Sequence, residues 1–137
     1  MAAFSGEIFP SSRGGHVFTD GLLVGGYDDT GPLQDIYMLD ESCTTWKQLP
    51  ISSALTPLPR IDFDGALCGQ KFFLFGGMQS DGVEALILND LWEYDISSSS
   101  WVMRCEECVV SERMGHTVTA ISEDKFVVYG GDCMGQS

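Results

Sequence analysis

Positive charge is scarce in this chain. Seven Lys and Arg stand against twenty Asp and Glu in 137 residues, a formal net charge of −13. So acidic a surface repels phosphate backbones and anionic lipid, so neither nucleic acid nor a membrane surface is expected as a partner. No apolar run approaches the roughly 18 residues that span a bilayer. The opening stretch MAAFSGEIFPSS has no basic start and no apolar segment. No secretory signal is read there, and a cytoplasmic location is expected. Cysteine is present but unpaired in pattern: Cys43, Cys68, Cys105, Cys108 and Cys133 are an odd count at irregular spacing. Reduced thiols are the expectation. Helical periodicity is also missing, GVEALILNDLWEY being the nearest approach to it.

What the chain does have is glycine, aromatics and repetition. Sixteen glycines and 11% aromatic residues suit many short strands joined by turns. A hydrophobic fraction of 44% is too high for a disordered chain. The stretch LLVGGYDDTGPLQDIYMLDESCTTW, from Leu22 to Trp46, is echoed by FFLFGGMQSDGVEALILNDLWEYDISSSSW. Gly25-Gly26 matches Gly76-Gly77, and Asp35-Ile36-Tyr37 matches Asp90-Leu91-Trp92. Asp40 and Trp46 match Asp95 and Trp101, each pair six residues apart. A third copy begins with Arg113-Met114-Gly115-His116, echoing Arg13-Gly14-Gly15-His16, and reaches Gly130-Gly131.

Each copy reads as a β-meander. In the second, DGALCG, KFFLFGG, DLWEYD and SWVMR are four strands, with a loop expected over MQSDGVEALILN. This pattern resembles the kelch repeat: a double glycine ending the second strand, an aromatic soon after, and a Trp in the fourth. The resemblance covers roughly Arg13 to Gly131. It implies an all-β, kelch-type β-propeller segment, with two four-stranded antiparallel blades, about half of a third, and a ring that does not close. The expected division is a linker over 1–12, a first repeat over 13–59, a second over 60–112 and a partial third over 113–137. The first hairpin is short, and in the second copy Asp62-Phe63 replaces the Gly-His pair. At about 50 residues per repeat, the chain supplies fewer than three blades where a ring needs four or more. An uncovered blade face exposing half a dozen large apolar side chains forfeits roughly 9–18 kcal/mol. A fragment of a longer propeller is therefore expected, the alternatives being a truncated product without a function of its own or a protomer that closes a ring by self-association through such faces.

The glycine pairs are read as structural rather than phosphate-binding. A phosphate loop needs a following helix and usually a Lys or Ser/Thr, whereas YDDTGPLQ follows Gly25-Gly26. Tyr37, Trp92, Trp46 and Trp101 are expected to pack blades. His16 and His116 occupy matched positions, which argues for a shared structural role. CEEC, from Cys105 to Cys108, has zinc-like spacing but no second pair, so no metal and no cofactor is expected. No nucleophile-base pair can be placed together, so no enzyme activity is expected, the alternative being an accessory propeller segment of an enzyme or metalloprotein. Successive turns of a meander alternate between propeller faces. The loops between strands two and three therefore share a face with the connections between blades, PISSALTPLP and CEECVVSE. Long loops on a rigid scaffold carry binding. This acidic face, with Tyr27, Asp28, Asp29, Met78, Asp81 and Glu84, is the expected site for a protein partner presenting a basic or mixed peptide segment.

Overall fold

The computed structural model describes residues 10–80, 83–108, 110–123 and 125–132. Most of the expected N-terminal linker, together with Asp81 and Cys133, lies outside them. Among the described residues the chain is all-β, without a helix.

Three groups of strands follow one another. β1 (Val17–Thr19), β2 (Leu22–Val24), β5 (Ile36–Leu39) and β6 (Trp46–Gln48) form a first four-stranded antiparallel blade. Its first two strands have three residues each, as the short first hairpin implies. β7 (Asp64–Cys68), β8 (Lys71–Ser80), β9 (Ala85–Asp95) and β10 (Ser100–Cys105) form the second. β11 (Thr117–Ser122) and β12 (Lys125–Tyr129) pair as a lone hairpin, the start of a third. Among the described residues no sheet closes a ring, and the architecture is that of a partial β-propeller.

One expectation needs correction. MQSDGVEALILN is not simply a loop. β8 and β9 continue past the glycine pair as a ladder, with Gly77 opposite Leu88, Met78 opposite Ile87 and Gln79 opposite Leu86. The register shifts between Phe75 and Gly77, where both glycines take positive φ. The pair makes a bulge rather than a strand end. The alternation of ALIL then resumes the sheet beyond it. In the first blade the equivalent segment makes a two-residue ladder, β3 (Tyr27–Asp28) with β4 (Gly31–Pro32).

The core lies between blades. Val17, Leu22, Val24 and Ile36 of the first blade pack on Phe72, Leu74, Trp92, Tyr94 and Trp101 of the second. Ala66 and Phe75 of the second meet Val118, with Phe126 and Val128 against them. The connection from β6 to β7 is strapped down. Pro50 accepts from the Tyr94 hydroxyl at 2.7 Å, and Ser53 Oγ accepts from the Trp101 amide at 2.9 Å. Glu93, buried in mid-sheet, is held between Arg104 at 2.7 Å and Lys71 at 3.6 Å. The repeated Asp-to-Trp spacing has a local cause. Asp40 accepts the Thr44 and Thr45 amides, and Asp95 accepts that of Ser97, so each aspartate builds the turn into the fourth strand.

The outer face of the first blade is less exposed than expected, whereas Tyr129 on that of the last hairpin is exposed. On the first blade Phe18 is exposed, but Leu23 and Tyr37 are buried. Trp46 stands edge-on to Phe18 and Tyr37 at 6.2 and 6.4 Å, and the Arg13 guanidinium lies 5.7 Å from the Tyr37 ring centre. The blade covers part of its own face.

Candidate functional site

An arginine clasp organises the loop face from below. Arg60 Nη1 donates to the carbonyl of Gly76 at 3.0 Å and to Asp90 Oδ1 at 2.5 Å, while Nη2 donates to Asp90 Oδ2 at 2.9 Å. Trp92 Nε1 donates to the same Oδ2 at 2.8 Å. Arg13 repeats the clasp with Gly25 and Asp35. Arg113 makes its carbonyl half alone, to Gly130 at 2.9 Å. Each arginine ties the start of a blade to its glycine pair.

Above the second clasp lies a groove of ≈ 550 Å³. One wall is the β6–β7 connection with Leu55 and Leu58, and the other is the hairpin end of β8 and β9 with Gln79 and Leu86. Leu55, Leu58 and Leu86 are 59%, 57% and 59% exposed, unusual for leucines that converge on one cleft. Glu106 and Glu107 stand at its edge, both exposed. Its floor reaches Trp92 and Met103. Arg60 and Asp90 neutralise each other beneath, so the groove combines apolar walls with a net acidic rim.

The residues expected to bind fall elsewhere. None of Tyr27, Asp28, Asp29, Met78 and Glu84 lines this groove, and Asp81 lies outside the described residues. Tyr27 is half exposed and lies beside Gly14 and Gly15. Asp28 serves its own turn, accepting from the Thr30 amide and hydroxyl and from Ser11. Those bonds, the Thr30 hydroxyl first, lower its carboxyl to about 2. Asp29 and Glu84 are exposed. Met78 is held by paired backbone bonds to Ile61 at 2.7 and 2.9 Å. The structure does bring together the two classes of segment expected to share a face, the interblade connection and the strand two–three extension. Leu55 and Leu58 of PISSALTPLP were the signal: apolar residues inside a proline-bounded loop.

The matched histidines differ. His116 is buried, and its Nε2 donates to the Phe75 carbonyl on the neighbouring blade at 2.7 Å. Burial, the largest cause, lowers its pKa, with the Phe75 bond opposing. His16 is exposed. Phe63 takes the equivalent place in the second blade, buried against Gly25.

The CEEC thiols are free. Burial pushes the Cys108 thiol up to about 12, with the Cys105 hydrogen bond and charge and then the Asp90 charge adding to it. Burial and the neighbouring thiol, rather than the two glutamates, dominate. Metal ligation and alkylation both need thiolate. Among the described residues no group of three or more His, Cys, Asp or Glu could hold a metal ion. Iodoacetamide at pH 8 should modify exposed Cys43 at least about tenfold faster than Cys108, as peptide mapping by mass spectrometry would read. Equal rates would mean that the CEEC loop opens readily.

Comparison with known proteins agrees with this architecture. The KLHDC2/KLHL20/DRC7 Kelch-repeats domain model matches residues 2–136. Kelch domain-containing protein 1 of Mus musculus is 33% identical over 101 residues, covering 71% of this chain and 23% of that protein. An F-box/kelch-repeat protein of Arabidopsis thaliana is 33% identical over 141 residues, 92% of this chain and 29% of the relative. Acyl-CoA-binding domain-containing protein 4 of Arabidopsis thaliana is 32% identical over 130 residues, 90% of this chain and 19% of the relative. The chain therefore spans less than a third of the length of each of these relatives.

Proposed function

This chain belongs to the kelch-repeat family, and from that premise we propose that it is a protein-interaction module whose groove takes a peptide segment of a partner. The observation that carries the reading is the convergence of Leu55, Leu58 and Leu86, all exposed, with Glu106 and Glu107 at their edge. Apolar side chains of the segment would lie on the leucines and its Lys or Arg on the glutamates. An overall charge of −13 speeds the approach of a basic partner. Among the described residues nothing assembles a nucleophile, a base or a metal site, and no step of chemistry is assigned.

The test uses two labelled synthetic peptides, one alternating Lys and Leu and one alternating Glu and Leu, titrated by fluorescence anisotropy. The Lys/Leu peptide is expected to bind and the Glu/Leu peptide to fail. Leu58→Asp, or Glu106→Lys with Glu107→Lys, should weaken binding at least about tenfold, equivalent to about 1.4 kcal/mol. Asp28→Asn with Asp29→Asn should change it less than about threefold, the Asp28 oxygens being committed to their turn. Equal binding of both peptides, or groove variants that bind like the parent, would overturn the reading.

A further inference from the structure

The two thiols of CEEC meet beside the groove, and one strand positions both. Cys105 ends β10, standing opposite Leu91 just past the register shift that follows Met103. The Cys108 amide donates to the Asn89 carbonyl at 3.1 Å. The Asn89 side-chain amide answers by donating to the Cys108 carbonyl at 2.9 Å and to that of Val110 at 3.3 Å. Asn89 and Leu91 are two residues apart on β9, on one face of the strand. β9 thus holds each cysteine, and Glu106 and Glu107 make the turn between them. The Cys105 and Cys108 side chains are hydrogen-bonded to each other. The Cys108 Sγ also lies 3.9 Å from the Cys105 carbonyl oxygen. Thiols already in contact need little more than a side-chain rotation to reach the bonding separation of about 2 Å.

The pair is unequal. Burial, then the Cys105 hydrogen bond and charge, keep Cys108 protonated, and the Asp90 charge adds to them. Cys108 is therefore a poor first attacker on anything from solution, and that role falls to Cys105. Capping Cys105 removes the charge and the bond by which it holds the proton on Cys108. The first step thereby prepares the second.

We propose that Cys105 and Cys108 are a site of reversible thiol–disulfide exchange with a low-molecular-weight disulfide such as oxidised glutathione. The Cys105 thiol gives up its proton and its sulfur attacks the glutathione disulfide. The S–S bond breaks, and the first glutathione leaves as thiolate and takes up that proton. The Cys108 thiol then loses its proton, and its sulfur attacks Sγ of Cys105 in the mixed disulfide. The second glutathione leaves and is protonated in turn. The chain loses two electrons and two protons, and one glutathione disulfide becomes two glutathiones. The new bond closes a ring around Glu106 and Glu107, so the acidic edge of the groove is restrained in the oxidised chain.

Equilibration at pH 8 in mixtures of reduced and oxidised glutathione tests this. After an acid quench and alkylation of the remaining thiols, trypsin releases Cys105–Arg113 as one peptide. Mass spectrometry should find it two hydrogens lighter, with the bond inside it. Half-oxidation should need at least about tenfold less glutathione disulfide than in the chain unfolded in urea, because β9 raises the effective concentration of one thiol at the other. Single variants separate the roles. Cys108→Ser should trap glutathione on Cys105, whereas Cys105→Ser should leave Cys108 at least about tenfold less modified. Asn89→Ala removes the side-chain tether and should move half-oxidation at least about threefold back toward the unfolded value, with circular dichroism checking the fold. A folded parent carrying only mixed disulfides, or one oxidised no more readily than the unfolded chain, would overturn the proposal. So would a Cys105→Ser chain modified as fast as the Cys108→Ser chain, or an Asn89→Ala chain that oxidises like the parent. The readout contains no peptide, so a failure of peptide binding at the groove would not count here.

Discussion

Replacing Asp90 by alanine is expected to destabilise the chain by about 3–5 kcal/mol. The carboxylate accepts both terminal nitrogens of Arg60 and the indole N–H of Trp92. The Arg60 side chain is 4% exposed, so its charge has no water to turn to once the partner is gone. The Trp92 donor would be stranded as well, in a residue at the centre of the interblade core. Typical domain stabilities are about 5–15 kcal/mol, so about a fifth or more would disappear. Urea unfolding followed by tryptophan fluorescence reads the shift. Asp90→Asn should lose less, because one amide oxygen still accepts from a guanidinium nitrogen or from the indole. Asp35→Ala should also lose less. Asp35 pairs Arg13 with the same fork, but no indole donates to it among the bonds it makes here, and its side chain is somewhat more open to water. If Asp90→Ala unfolds within about 0.5 kcal/mol of the parent, the clasp does not hold the blade.

The clasp also shows where reading the sequence stops. Arg13 and Arg113 were visible as repeated residues, as were Asp35 and Asp90. Nothing local said that they meet, because 22 and 30 residues separate the partners. The strands themselves were legible, since alternation and turn residues act within a few positions. The glycine pairs were legible as structural, because no helix follows them. The ladder beyond Gly77 was not: a turn-rich MQSDG hides a hairpin whose pairing is fixed across the bulge. Phe63 looked like a departure from the Gly-His pattern. In space it performs the histidine's packing task against Gly25, which only the neighbouring blade reveals. For the same reason the groove was half legible. The interblade connections and the β8–β9 extension do meet at one groove, but the leucines that converge there belong to segments remote in sequence.

Within each glycine pair the two positions should differ in what they tolerate, and Gly76→Ala should be the most disruptive of the first-position substitutions. A Cβ there would lie 2.7 Å from the Arg113 carbonyl, 2.9 Å from the His116 ring and 3.1 Å from the Leu88 carbonyl, at φ +68°. Two of those three are backbone atoms, which cannot swing aside. Positive φ costs a non-glycine residue about 1–2 kcal/mol, and overpacking adds about 1–3. Gly77→Ala meets its own blade instead, 2.7 Å from Phe63 Cβ and 2.9 Å from the Ile61 carbonyl. The side-chain space at the first glycine is therefore taken mainly by the next blade and that at the second by its own, although the Gly77 amide also donates to the Arg113 carbonyl at 2.9 Å. Hydrogen exchange distinguishes the two. Gly76→Ala should speed exchange in β11 and β12 while β10 stays protected. Gly77→Ala should instead loosen β7 and β8. The last pair supplies the control. Gly130→Ala has open space and should cost only the φ strain, whereas Gly131→Ala runs into the Met114 carbonyl at 2.7 Å and His116 Cβ at 2.9 Å. Equal costs at Gly130 and Gly131 would refute this division of roles. Unequal costs there, with Gly76 as sensitive as Gly77, would mean that a first glycine becomes indispensable only when a following blade is seated on it.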